Sequence, residues 1–285
     1  MLLSFHKKLL FWSLSLAIIF GTTACSSTAP SVLDHPATSA TLWMQNSAEY
    51  QALTTSIYQN ATSHLGLALE DSYWTAYPKQ EEQNIASKPP AVILDVDETV
   101  LNNSAFEARM IKQRSDYDPE KWNDWVMEAK ADPIAGALDF TQRAAKEDVT
   151  IYYVTNRDAK VEEGTRRNLQ KLGFPLSETE DRILSNHERE NWTSAKVNRR
   201  AFVAADHRII MLFGDNLNDF IHAEDISREQ RHRLVKQHQN KWGRKWFVLP
   251  NPVYGSWESA LYNFDNSLSP SQIDSVKKAN LNTKQ

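Results

Sequence analysis

The first residues with chemical content are two aspartates placed two apart after a short apolar run: Ala91-Val-Ile-Leu94 leads into Asp95-Val-Asp97-Glu98-Thr99-Val100. Their mutual repulsion calls for a cation or a charged substrate group beside them. A calcium loop opens in a similar way, but Val100 stands where it needs glycine and Phe106 where it needs its last glutamate. A solvated turn remains the bland alternative. Further along, Val154-Thr155-Asn156-Arg157 offers a hydroxyl and backbone N–H groups that can hold an anionic oxygen, although threonine equally caps a following helix. Lys196, with Arg199 and Arg200 close behind, supplies cations. Taken alone, that cluster reads more readily as a solvated helix face. Gly214-Asp215-Asn216-Leu217-Asn218-Asp219 combines a turn-permitting glycine with two carboxylates that can share a helix face. Carboxylates without a thiolate or imidazole cluster suit a hard cation such as Mg²⁺.

These groups need a scaffold, and the hydropathy pattern supplies one. Apolar runs of strand type lie at 91–94, 149–154, 209–213 and 246–249, with a weaker one at 183–184. Helical spacing is read at 41–70, 134–146, 161–172 and 219–241, with Gly173 as a stop. Buried strands alternating with helices predict an α/β fold, a doubly wound parallel sheet with helices on both faces. Each candidate group follows a strand, at the edge where such sheets bind ligands. Residues 102–133, rich in charge and tryptophan, break the rhythm and are expected to form a small helical cap with the N-terminal helix. Within Lys121-Trp-Asn-Asp-Trp125 the polar surroundings argue against burial of both indoles.

Composition narrows the classes. The 285 residues carry 32 basic and 36 acidic side chains, a formal charge of −4, which argues against a nucleic-acid polymer as partner. A single cysteine excludes a disulfide framework and a thiolate zinc cluster. At the N-terminus, Lys7 and Lys8 precede an uncharged run over 9–20 and a small-residue stretch ending at Cys25. Residues 1–24 therefore read as an export signal. Cys25 after Gly21-Thr-Thr-Ala24 resembles a bacterial lipobox, although Thr22 replaces the usual leucine. Ordinary cleavage that leaves a free thiol is the alternative. Lipidation of Cys25 would give a membrane partner through a lipid anchor, and Ser26 after it favours the outer membrane. Residues 25–40 read as a flexible tether, and 41–285 as the folded domain.

The ordered set D-x-D-x-T, V-T-N-R, lysine and G-D-x-x-x-D over about 91–249 resembles the haloacid-dehalogenase-like phosphotransferase superfamily. V-I-L-D-V-D-E-T-V-L-N-N-S, G-D-N-L-N-D-F and L-P-N-P-V-Y-G-S-W-E are similar to the class C bacterial acid phosphatases, secreted or lipid-anchored phosphomonoesterases that include 5′-nucleotidases. The resemblance implies that Asp95 attacks phosphorus and that Asp97 serves as general acid and base. It also implies one Mg²⁺ per active site, held by Asp95, the Asp97 main-chain carbonyl and Asp215. Thr155, the Asn156 amide and Lys196 would bind phosphate, and Asp219 would orient Lys196 or a water of the metal. Trp122, Tyr254 and Trp257 are the aromatics expected to stack on a nucleotide base. Small-molecule phosphomonoesters are the expected substrates, and a homo-oligomer is compatible with the chain. A phosphotransferase or phosphomutase of the same fold, and a non-catalytic surface-binding lipoprotein, are the competing readings.

Overall fold

A computed structural model describes residues 35–284. The chain runs through α1 (Thr38–Asn46), α2 (Ala48–Glu70), β1 (Pro90–Leu94), β2 (Leu101–Asn102), α3 (Ser104–Gln113), α4 (Pro119–Glu128), β3 (Asp132–Pro133) and α5 (Ala137–Lys146). It continues with β4 (Thr150–Asp158), α6 (Glu162–Leu172), β5 (Ile183–Asn186), α7 (Val197–Asp206), β6 (Arg208–Gly214), α8 (Arg228–Gln237), β7 (Trp246–Val248), α9 (Ser256–Ser259) and α10 (Pro270–Ala279). Five strands form one parallel sheet in the order β5-β4-β1-β6-β7. β2 and β3 pair antiparallel beside it.

Every strand of the sheet follows one of the apolar runs because both sheet faces are covered. Val92 and Leu94 of β1 enter one core with Tyr58, Phe140, Phe213 and Phe247. Ala91 and Ile93 enter the other, with Val203, Phe220 and Trp246. In the first core Phe213 stacks on Tyr58 at 5.3 Å and on Phe247 at 4.9 Å between ring centres. Thus α2 and α5 lie over one face and α7 over the other, which is the doubly wound α/β arrangement expected.

Three elements differ from the sequence reading. The N-terminal helix starts at Thr38, inside the expected tether, and breaks at Ser47. There the backbone is extended and the hydroxyl accepts the Tyr50 amide at 3.0 Å, capping α2. In consequence α1 packs on α3 in the cap, while α2 lies on α5 and β7. The single helix expected over 219–241 is instead a short turn at Leu217–Asp219, an irregular stretch and α8. Capping boxes at Asn216/Asp219 and Ser227/Gln230 close each piece locally. Helix α10, which has no buried residue, was not anticipated. The expected export signal, Cys25 and the tether as far as residue 34 lie outside the described residues. No described helix is long and apolar enough to cross a membrane.

Residues 102–133, the stretch expected to form a cap, fold as α3 and α4 between the strands of the β2–β3 ribbon. Arg109 on α3 pairs with Glu128 on α4 at 2.6 Å, and Arg167 on α6 donates to the Met127 carbonyl at 2.6 Å. Gly164 lets α6 approach this corner. A Cβ there would lie 2.5 Å from the Val126 carbonyl oxygen and 2.9 Å from Met127 Cα, both backbone atoms with little room to yield. Gly164→Ala should therefore cost about 1–3 kcal/mol through overpacking. Urea unfolding checks this, and an unchanged midpoint would show that α4 does not rest on α6.

Candidate functional site

The site is built outward from the end of β1. The Asp95 amide donates to the Phe213 carbonyl at 3.0 Å, which ties the strand end to β6. The chain then turns sharply: the Val100 and Leu101 amides return to the Val96 carbonyl at 3.0 and 2.9 Å, and Glu98 takes φ 53°. From α2, the Tyr58 hydroxyl donates to the Thr99 carbonyl at 2.8 Å. Sheet, turn and helix together fix the backbone that presents Asp95 and Asp97.

Asp95 is buried, and its carboxylate accepts the Lys196 ammonium. Lys196 also donates to Asp219 Oδ1 at 2.6 Å. Burial pushes the Asp95 carboxyl up to about 7, against the pull of Lys196 and with the push of Asp219 and Asp97. Burial works against the charge on Lys196, but Asp219 and Asp95 outweigh it and its pKa is raised. Asp215 is driven well above the usual carboxylate range by burial, then by Asp95 and Asp219. Asn251 Nδ2 donates to Asp215 Oδ2 at 2.7 Å. Carboxylate oxygens of Asp95, Asp215 and Asp219 lie within 4.8 Å of one another. This all-oxygen donor set fits a hard divalent cation. Gly214 makes the cluster sterically feasible, since a Cβ on it would overlap the Asp219 carboxyl.

The second carboxylate, Asp97, faces the end of β4. Its Oδ1 accepts Arg157 Nε at 2.9 Å and Asn103 Nδ2 at 2.8 Å. Thr155 is buried; its hydroxyl accepts the Arg157 amide at 3.1 Å and lies 3.5 Å from Asp97 Oδ2. The Asn156 side chain donates to the Ser194 carbonyl at 3.1 Å and accepts Arg199 at 2.7 Å, so it braces the loop before α7.

Asp95, Asp97, Lys196, Asp215 and Asp219 line a cleft of about 590 Å³, together with Asn156, Trp122 and Tyr254. Trp122 packs edge-on against Phe106 at 5.1 Å. The Tyr254 hydroxyl donates to the buried Glu98 carboxyl. Trp257 departs from the expectation. It stands outside the cleft lining, 44% exposed, with its indole N–H on the Tyr254 carbonyl at 3.2 Å.

The two indoles of Lys121-Trp-Asn-Asp-Trp125 are not both buried: Trp122 is half-buried, whereas Trp125 is buried and donates to Asn103 Oδ1 at 2.9 Å. One further reading is corrected. Arg199 and Arg200 are not a solvated face. Both are buried, and their guanidinium groups donate to the carbonyls of Thr155 and Asn218, one at each strand-end loop. Burial lowers both to about 10.

The family model described as HAD superfamily, subfamily IIIB (Acid phosphatase), matches residues 22–257. This chain belongs to that family. The class C acid phosphatase from Bacillus anthracis is 33% identical, with a TM-score of 0.75 and coverage of 86% of this chain and 96% of that one. Its crystal structure with tungstate bound gives a TM-score of 0.76 at the same identity and coverage. The class B acid phosphatase of Morganella morganii is 24% identical over 160 residues, 52% of this chain and 64% of that protein. The chain thus spans less than two thirds of that curated relative.

Beside Asp95, Asp97, Thr155, Asn156, Lys196, Asp215 and Asp219, the fold assembles Glu98, Asn103 and Arg157, to which the sequence reading gave no role. Glu98 directly follows Asp97, and Arg157 closes the V-T-N-R string. Both therefore sat inside recognised motifs, but their inward direction is a tertiary fact. Glu98 is held by the Asn103 amide at 2.7 Å and by Tyr254. Burial, then the Asp97 charge, pushes its carboxyl up to about 8.

A carboxyl raised on folding binds its proton more tightly in the native state. Its contribution therefore favours the fold at low pH and is lost as pH rises from the unfolded value toward the folded one. Asp95 acts in the same direction. With a chelator present, the urea midpoint should fall between about pH 5 and about pH 8. Glu98→Gln should flatten the upper part of that slope, and a midpoint that climbs across the same range would refute the assignment.

Proposed function

We propose that this chain is an exported, metal-dependent acid phosphatase that hydrolyses phosphomonoesters, nucleoside 5′-monophosphates among them, through an aspartyl-phosphate. One observation carries the reading: Asp95, buried at the end of the central strand, contacts Lys196 and shares a carboxylate cluster with Asp215 and Asp219, with Asp97 two residues on. The Bacillus anthracis relative was crystallised with tungstate, an oxyanion of phosphate-like shape, which supports a phosphoryl substrate for this chain. Asp95, Asp215 and the Asp97 carbonyl would hold Mg²⁺, which when bound supplies positive charge against the carboxylates and the phosphate.

A phosphate monoester repels nucleophiles, and its transition state spreads negative charge over the transferring oxygens. Asp95 is the nucleophile, forming the phosphorus–oxygen bond as the ester oxygen departs. Asp97 protonates that departing alkoxide and later takes the proton of the attacking water. Lys196 offsets charge on both the nucleophile and the phosphate, and Asp219 keeps its ammonium pointed at Asp95. Thr155 and the Asn156 amide bind phosphoryl oxygens. Trp122 and Tyr254 offer flat faces to a base.

Export through residues 1–24 and lipidation at Cys25 would put the enzyme in the bacterial cell envelope, anchored to the outer membrane or periplasmic. Purified protein should release phosphate from a phosphomonoester with Mg²⁺, fall to background with chelator and recover when Mg²⁺ is restored. Asp95→Asn should stay at background, and substantial turnover with deamidation excluded would rule out the covalent route. Trp122→Ala should lower kcat/KM for nucleotides about ten- to a hundredfold, the value of a base–aromatic stack, and spare a small aliphatic ester. Equal losses on both would remove the stacking role.

A further inference from the structure

The two oxygens of Asp97 have unequal surroundings. Oδ1 receives Arg157 Nε at 2.9 Å, Arg157 Nη2 at 2.8 Å and Asn103 Nδ2 at 2.8 Å. An arginine fork that meets a carboxylate side by side spreads over both oxygens. Here both of its N–H groups converge on one. Oδ2 has only the Thr155 hydroxyl, at 3.5 Å.

The donors are themselves fixed. Arg157 is buried and donates from Nη1 to Thr165 Oγ1 on α6 at 3.1 Å. Asn103 is buried at the start of α3. Its Oδ1 accepts Trp125 at 2.9 Å and Arg157 at 3.3 Å, which orients its amide nitrogen toward Asp97. An oxygen ringed by three N–H donors has no room for a proton, because the proton would point into other hydrogens. A protonated Asp97 therefore carries its hydrogen on Oδ2, beside Thr155.

We infer that Arg157 and Asn103 are positioning residues that saturate Oδ1 and thereby assign all proton transfer by Asp97 to Oδ2. The inference rests on the phosphatase reading given above. In the forward step the O–H bond at Oδ2 breaks, its proton passes to the departing ester oxygen, and Asp97 is left as carboxylate. In the hydrolytic step Oδ2 takes a proton from water while the water oxygen bonds to phosphorus, the bond between phosphorus and the Asp95 oxygen breaks, and phosphate leaves with Asp95 restored as carboxylate. No other reactant is needed.

Leaving groups separate this role from a structural one. p-Nitrophenolate departs without protonation, whereas an alkoxide needs the acid. The measure is kcat/KM, which reports the steps up to departure of the leaving group. Arg157→Lys keeps the charge but loses the fork. It should lower kcat/KM for an alkyl phosphate about tenfold or more beyond its effect on p-nitrophenyl phosphate, within the range that general acid catalysis supplies. Asn103→Ser removes one donor and should shift the same ratio in the same direction by less. If Arg157→Lys does not fold, the Asn103→Ser ratio decides. Equal losses on the two esters, or no loss on either, overturn the positioning role and leave the phosphatase reading standing. A wild-type protein that releases phosphate from neither ester overturns both.

Discussion

The contact of Lys196 with both Asp95 and Asp219 is the constraint around which the rest is arranged. Burying carboxylates at the end of a central strand is costly, and removing one partner of a buried charge pair leaves the other uncompensated. The ammonium offsets part of that cost from the N-terminal edge of α7, where Lys196 itself adopts φ 57°. The loops on either side are then pinned by Arg199 and Arg200, which bind carbonyl oxygens rather than acids. Buried arginines can thus organise a carboxylate site without neutralising it. That separation sets three carboxyl groups, Asp95, Asp215 and Asp219, against the single Lys196 ammonium, a donor set that a hard divalent cation can satisfy.

The cap and the sheet meet at a different point. Asn103 and Trp125 come from the cap, Arg157 and Thr165 from the body of the domain, and all four join one hydrogen-bonded network with Asp97. The aromatic wall of the cleft grows from the same place: the Arg157 guanidinium lies 5.6 Å from the Trp122 ring centre. The position of the Asp97 carboxylate and the shape of the cleft are therefore physically linked, and buried networks of this kind respond as a unit rather than residue by residue.

Much of this was legible in the chain because fully buried strands announce themselves as apolar runs, and the motif residues follow those runs directly. Asp95 and Asp215 could be placed just past strand ends from that alone, whereas β4 runs on beyond the apolar run and holds Thr155 within it, as far as Asp158. Helix ends near Ser47 and Ser227 were less legible, since a local cap outweighed a hydrophobic spacing that continued across it. Arg199 and Arg200 misled for one reason: a polar neighbourhood in sequence says nothing about carbonyls brought in from 44 and 18 residues away. Asn103 stood inside the V-I-L-D-V-D-E-T-V-L-N-N-S string, but nothing there revealed that it faces Asp97, Trp125 and Arg157 at once.

The central place of β1 also bears on how the protein folds. β1 is made early, yet its neighbours are β4 and β6, and α2, from still earlier in the chain, packs on β7. The middle of the sheet, β4-β1-β6, cannot close until residue 214 is present, and β7 is added at its edge only with residues 246–248. Loop-closure entropy must be met before those distant pairings contribute, so assembly is slow compared with a helical bundle. Such a topology keeps the unfinished chain open for longer. It also means that premature termination before β7 would remove a boundary of the core, Trp246 and Phe247, rather than trim a tail.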